Sequence, residues 1–373
     1  VFSTLPGVSF SSGIISTDVP LLVLWALALW AFVELLETRQ WRWAILLGVA
    51  VGLGLNAKYA MIYFAGCAAL YVWREPSARW LARDPRTLAA AAIALAFIAP
   101  NLHWNATNGL VTIGHTAANA NWGGSLLHPL KMLEFIGAQF GVFGPVLFAV
   151  LLWILWEARK RTPDQPDRLL LWFSIPILLA ITVQALLSRA HANWAASAYP
   201  AASILVTAVM LRQQRWRLMR ASFLVHAAVM IVLAAGAALA PALALREGRN
   251  PYDRVLGWKH LADTVRAELR RAPYEAVLAD DRWVTAELLY YLRDLDTPVR
   301  SWRYGEVPRD HFELTRPYAG GEEPVLLVTL RPSAEHVTSR FAKTGLLGEK
   351  QTTVSPGITR PAWLWALSGY RGN

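Results

Sequence analysis

The first two thirds of the chain alternate long apolar runs with short polar breaks. The runs fall at about 19–36, 43–56, 58–73, 88–100, 132–156, 169–187, 194–211 and 221–245. Roughly 20 apolar residues in a helix cross the hydrocarbon of a bilayer, so the pattern predicts a polytopic α-helical membrane protein. The runs 43–56 and 58–73 read as two tilted spans joined by the tight Asn56-Ala57-Lys58 link, and 88–100 is expected to extend at either end. At Arg246 the pattern changes: the chain becomes charged and punctuated by Pro and Gly, with no further run long enough to span. Residues 1–245 are therefore expected to form a membrane domain, and 246–373 a small soluble α/β domain. In the latter, Trp258, Leu261, Val265 and Leu269 form a helical stripe. Strands are expected at Ala276–Ala279, Val325–Leu330 and Trp363–Leu367, and helices at Arg282–Arg293 and Ser333–Lys343.

The breaks between runs carry an orientation signal. Arg39 and Arg42; Arg74, Arg79, Arg83 and Arg86; Arg159, Lys160, Arg161 and Arg168; and Arg212, Arg215, Arg217 and Arg220 occupy alternate breaks, while the intervening ones hold only Lys58, Lys131 and Arg189. Basic loops stay on the cytoplasmic side. Residues 1–18, the Lys58 link, the 101–131 loop, the 188–193 loop and everything beyond about 246 are thus expected on the outer side.

Composition agrees with that class. Of the 373 residues, 55% are hydrophobic and only 17% charged, and the mean hydropathy is +0.32. The net charge of +10 does not point to nucleic acid, because the basic residues sit between apolar runs, where they report topology. Cys67 is the single cysteine, which excludes an internal disulfide and a thiolate metal cluster. The chain opens on Val1 with no basic n-region or cleavage pattern, so further chain is expected upstream. Beyond Arg246 there is no glycine-rich phosphate loop, HExxH or nucleophile elbow. The expected role of that domain is to roof the outer face or to help choose an acceptor.

Candidate chemistry gathers on the outer side. Asp18 stands at the lip of the first apolar run, where an unpaired carboxylate is costly and an ionisable residue is a functional candidate; Thr17 or Asp18 with Pro20 also fits a plain helix cap. Lys58, followed by Tyr59, can hold a lipid phosphate as a point charge or simply snorkel to the interface. The 101–131 loop carries Asn101, His103, Asn105, His115 and His128 with Trp104 and Trp122, amides and aromatic faces of the kind that bind a sugar. His103 with His115 is the pair to suspect for a divalent metal, although interfacial Trp and scattered His are ordinary. Asn105-Ala106-Thr107 fits a glycosylation sequon. In the turn Ser188–Trp194, Arg189 can pair with a phosphate or with Asp18, and Asn193 can cap the next helix.

Four stretches carry a resemblance: Ser16-Thr17-Asp18-Val19-Pro20-Leu21-Leu22, Gly52–Tyr59, Pro100-Asn101-Leu102-His103-Trp104-Asn105, and Ser188–Trp194 with Tyr199. Over nearly all of 1–245 the chain resembles the bacterial family 39 glycosyltransferases, related to protein O-mannosyltransferases and lipid A aminoarabinose transferases. The resemblance implies a GT-C fold, a sugar donor on a polyprenyl phosphate, and transfer on the periplasmic face of the inner membrane, usually with inversion. It implies that Asp18 is the second acidic position of the family, near the reaction centre. It makes Lys58, with Tyr59 beside it, the donor-phosphate lysine, and the Arg189–Trp194 turn an outer loop near the cavity. Family members begin with a further membrane helix and an acidic first outer loop carrying the base, and this chain starts after that region; the expectation is a fragment or a truncated and inactive product.

The expected partners are then a polyprenyl-phosphate sugar, membrane lipids, and a glycan, lipid A or protein acceptor. Asp18 is the candidate catalytic carboxylate, and Lys58, Tyr59 and Arg189 the donor-phosphate group. Asn101, His103, Asn105, His191, Asn193 and Trp194 are the substrate-binding set. No nucleotide is required. Two other classes fit the same pattern, a transporter for lipid-linked saccharides and a non-catalytic membrane scaffold; no internal repeat of the transporter kind is evident.

Overall fold

A computed structural model describes residues 1–120, 127–243 and 250–372, without the side chains of His115 and of 117–120. The chain divides into two compact units, Val1–Leu233 and Ala234–Asn373. The break falls within a helix, whereas the expected boundary at 245/246 lies outside the described residues.

The first unit is helical: α1 Pro6–Ser11, α2 Asp18–Thr38, α3 Trp41–Ala57, α4 Ile62–Arg74, α5 Pro85–Thr107, α6 Val111–Ala120, α7 Pro129–Val142, α8 Pro145–Ala158, α9 Gln165–Trp172, α10 Ile175–Leu187, α11 Tyr199–Arg212 and α12 Trp216–Leu239, the last continuing past Leu233. Among the described residues five helical stretches are long and apolar enough to cross a membrane: Asp18–Thr38, Pro85–Thr107, Gln165–Leu187, Ala192–Arg212 and Trp216–Ala242. Their outward side chains, such as Val23, Leu95, Leu179, Ile204 and Val232, are exposed, as lipid-facing positions are. The polytopic helical architecture is therefore as the runs predicted.

Close packing in this unit uses small residues where helices cross. A Cβ on Gly48 would lie 2.6 Å from the carbonyl oxygen of Ala90, and one on Gly52 2.6 Å from Cβ of Phe97, so α3 and α5 approach at a glycine seam. Trp25, Phe32, Phe64 and Phe173 fill the space between α2, α4 and the α9–α10 junction, with edge-to-face rings such as Trp25 on Phe64 at 5.2 Å. The basic breaks come together: Arg168 pairs with Glu75 at 2.7 Å, Arg212 with Asp167, and the Arg39 guanidinium covers Trp80 at 4.4 Å.

Two membrane expectations need correction. The 132–156 run is not one straight span: α7 and α8 meet at 116°. Gly144 between them has φ +91 and Pro145 begins α8, and a Cβ at Gly144 would lie 2.1 Å from Nε2 of His226, so only glycine fits this corner. The 101–131 segment is not a loop at its start: α5 runs through Pro100 to Thr107, and α6 follows at Val111. Proline weakens but does not always end a helix; Pro100 leaves the Ala96 carbonyl without its helix donor, and the next carbonyl, that of Phe97, accepts from the Asn56 amide at 2.8 Å.

In the second unit α13 spans Trp258–Leu269, followed by β1 Ala276–Ala279, α14 Arg282–Tyr291, β2 Val299–Ser301, α15 His311–Thr315, β3 Val325–Thr329, α16 Glu335–Thr338, β4 Phe341–Ser355 and β5 Ile358–Tyr370. The sheet order is β2-β1-β3-β5-β4, with β2, β1 and β3 parallel and β5 antiparallel to both neighbours. One face packs Val277, Leu326 and Val328 on Leu261, Val265 and Leu288; the other packs Leu278 and Leu327 on Trp302, Tyr318 and Phe341. The helix expected at Ser333–Lys343 is the single turn of α16. Phe341 already begins β4, a polar strand held by its long hairpin with β5, so its sequence lacks strand-like alternation.

Candidate active site

Asp18 is the first residue of α2, and the Thr17 side chain makes no cap hydrogen bond. Its own carboxylate is used elsewhere. Oδ1 accepts from Lys58 Nζ at 2.6 Å and Oδ2 accepts from Asn193 Nδ2 at 2.8 Å. The plain-cap reading of Asp18 is thereby replaced, and Asn193 is no cap either, because it lies inside the 192–198 turn, with His191 and Ala198 at the two N-cap positions.

Local structure explains the approach. Lys58 leaves α3 in an extended conformation, φ −162 and ψ 132, before the tight turn Tyr59–Met61. That break frees the side chain to reach the start of α2. Asn193 lies in the short 3-10 turn Ala192–Ala198 that leads into α11. Asp18 is 7% exposed, so its charge is tolerable because an ammonium and an amide meet it, and the N-terminal end of α2 adds favourable field.

A second cluster adjoins through the Lys58-Tyr59 peptide. The Tyr59 hydroxyl donates to Asn101 Oδ1 at 2.7 Å, and Asn105 Nδ2 donates to the Tyr59 oxygen at 3.2 Å. Asn105 is fully buried, and its Oδ1 accepts from the Thr112 backbone N–H at 3.1 Å. Asn105 therefore closes the α5–α6 turn from a buried position. Asn101 and Tyr59 form the accessible side of the cluster.

The other expected residues do not join these groups. His103 is exposed on α5. The side chain of His115 lies outside the described residues, so the metal pair is not formed by anything described, and no group of three or more His, Cys, Asp or Glu side chains gathers as a metal site among the described residues. His191 is exposed and its ring meets Trp194 edge-to-face at 5.3 Å, Trp194 being packed on the core. Arg189 is not the partner of Asp18; its carbonyl accepts from Gln184 at 3.2 Å.

One positioning residue escaped the sequence reading. Gln139 of α7 is buried; its Nε2 donates to the Ala192 carbonyl at 3.4 Å and its Oε1 accepts from the Tyr199 hydroxyl. The Tyr199 ring stacks on Phe143 at 4.4 Å. Together these fix the turn that presents Asn193. A lone amide inside the 132–156 run was the available signal, since a buried polar group in a membrane needs a partner.

A cavity of about 940 Å³ does not include Asp18 or Lys58. It opens between α2, α3, α4 and α5 farther along the same helices, lined by Phe32, Leu47, Val51, Phe64 and Trp80 together with Arg79 and Arg83. Its lining suits hydrocarbon.

Residues 2–104 match the family described as dolichyl-phosphate-mannose-protein mannosyltransferase. The chain is also similar to lipid A galacturonosyltransferase RgtD of Rhizobium johnstonii (strain DSM 114642 / LMG 32736 / 3841), with 33% identity over 313 residues, 84% of this chain and 65% of the relative. The chain thus spans about two thirds of the length of that curated relative. No solved structure matches it.

Proposed function

We infer, from the premise that this chain is a relative of the polytopic GT-C glycosyltransferases, that it moves a sugar from a polyprenyl-phosphate donor to an envelope acceptor. We place the reaction at the periplasmic face of a bacterial inner membrane, and the acceptor class that the comparison favours is a lipid A-type glycolipid. The observation that carries the reading is the Lys58–Asp18–Asn193 constellation at the start of α2.

In this reading Lys58 is an ammonium shared between two anions. It is held by Asp18, and toward the donor phosphate it stabilises the charge growing there as the sugar–phosphate bond breaks. Asp18, still oriented by Asn193, takes the proton of the acceptor hydroxyl while that oxygen attacks the anomeric carbon. The electron pair of the broken bond leaves with the phosphate, and a single displacement inverts the anomeric centre. Phosphate leaves readily, so no general acid is needed. Tyr59 and Asn101 stand beside Lys58 as hydroxyl and amide contacts for the donor sugar. The apolar cavity between α2 and α5 gives the polyprenyl chain a place along the same helices.

The test is transfer of radiolabelled sugar from polyprenyl-phosphate donors to lipid A in membranes carrying the protein. Transfer that depends on Asp18 and Lys58 supports the reading. Undiminished transfer in well-inserted Asp18→Asn and Lys58→Ala variants overturns it.

A further inference from the structure

The second unit contains a polar cluster that the transfer chemistry does not use. It lies at the carboxyl ends of the parallel strands. From β1 the chain leads through α14 to β2 on one side, whereas from β3 it leads through α16 to β4 and β5 on the other. The crevice between the ends of β1 and β3 is thus a topological switch point, the place where open α/β sheets take their ligands.

Asp280, immediately after β1, has a fully buried side chain. Its Oδ2 accepts from Thr329 Oγ1 at the end of β3 and from His336 Nε2, both at 2.9 Å. Its Oδ1 is enclosed and has no hydrogen-bond partner among the described residues. The Tyr304 hydroxyl donates to the Asp280 carbonyl at 2.8 Å, and burial together with the Asp280 charge raises that phenol above its ordinary range, so it stays a donor. The network places the His336 proton on Nε2, which leaves Nδ1, without a protein partner among the described residues, on the side away from Asp280.

Two guanidinium groups flank this buried base. Arg331, just past β3, has its Nε 4.0 Å from Asp280 Oδ2, its side chain is 52% exposed, and its terminal nitrogens have no hydrogen-bond partner among the described residues. Arg309 lies 3.5 Å from the centroid of the Tyr304 ring and is tied to Glu313. His336 stacks on the same ring at 5.3 Å. With the ring so covered, Tyr304 is a wall and not a stacking platform for a neutral sugar. What the crevice offers is charge.

We propose that this crevice binds a phosphate monoester, with the terminal nitrogens of Arg331 as its donors and the His336 imidazole, held in place by the buried Asp280, forming the wall beside it. Arg309 is paired with Glu313, so the exposed guanidinium of Arg331 is the cation that the mouth of the crevice offers to a phosphate oxygen. The phosphate monoester can come from a free sugar phosphate or from a lipid head group. The inference does not depend on Asp18 or Lys58.

The experiment is calorimetric titration of the purified full chain in neutral detergent, carried out in the Lys58→Ala background so that the Lys58 site of the first unit does not contribute. The probes are glucose 1-phosphate, glucose and glucuronate, with phosphatidic acid in phosphatidylcholine vesicles as the lipid arm. Glucose 1-phosphate binds and glucose does not, and Arg331→Gln weakens binding about tenfold or more, the effect of losing a charge-assisted hydrogen bond. Arg331 is half exposed, so this variant keeps its fold; His336→Gln is the second variant and weakens binding as well. Vesicle binding that also requires Arg331 identifies a lipid head group as the source, and binding of the soluble ester alone identifies a free sugar phosphate. Equal affinity in Arg331→Gln, equal binding of glucose or glucuronate, or no binding of any phosphate overturns the proposal.

Discussion

The ammonium of Lys58 lies 2.6 Å from Oδ1 of Asp18, although the two residues are 40 positions apart. Each belongs to a break in the apolar pattern, one at the start of α2 and one just past α3. Their meeting brings a proton acceptor and a phosphate-binding cation to one point. In the transfer reading, Lys58→Ala leaves the leaving phosphate without its cation and lowers kcat by about 10²–10³. Asp18→Asn removes the base and lowers kcat by about 10²–10⁴. The double variant falls less than the product of the two, because each residue works through the other. Initial rates of labelled transfer at saturating donor measure all three.

Asn193 meets the other oxygen of the same carboxylate. Asn193→Ala removes one hydrogen bond to a charged group, worth about 1.5–3 kcal/mol, and is expected to lower kcat about tenfold or more with KM for the donor nearly unchanged. Asn193→Asp sets two carboxylates against each other and is expected to be worse. The ordering Asn, then Ala, then Asp in kcat checks the role; an active Asp variant would remove it.

Gln139 and Tyr199 hold the turn beneath Asn193. Tyr199→Phe leaves the buried Gln139 oxygen unpaired, at a cost of about 1–3 kcal/mol. Thermal inactivation in detergent is expected at lower temperature, with activity per folded molecule reduced only modestly. Gly144→Ala is expected to be more severe, because φ +91 and the His226 ring both exclude a Cβ; the readout is the yield of monodisperse protein.

In the second unit the Arg266 guanidinium grips Asp294 through both oxygens, and these hydrogen bonds hold its carboxyl down at about 2. The folded value lies below the unfolded one, about 3.9. The pair's stabilisation is therefore complete above about pH 4 and fades as pH falls towards 2. Asp294→Asn is expected to speed hydrogen exchange of α13 amides at neutral pH and to match the unmodified protein below about pH 2. A difference that persists at the acid end would show that another group is responsible.

Hydrophobic length and charge placement along the chain are enough to give the spans. The spans α2, α5, α9–α10, α11 and α12 follow from apolar runs, because a helix long enough for hydrocarbon must be apolar over its whole length. The change of character near Arg246 announced a separate α/β unit, and Ala276–Ala279 and Val325–Thr329 stand out as buried parallel strands. Asp18, Lys58 and Asn193 were each conspicuous as polar residues at the ends of such runs.

Tertiary structure decided which of these meet. Asp18 took Lys58 and Asn193 and not Arg189, and Asn105 turned inward to close a turn, because partner choice depends on where the α3 break and the 192–198 turn deliver their side chains. It also bent the 132–156 run at Gly144 and made a strand of the polar Phe341–Ser355 segment. Neither is legible locally: the bend needs the room that His226 leaves only to a glycine, and the strand needs the hydrogen bonds of its partner β5.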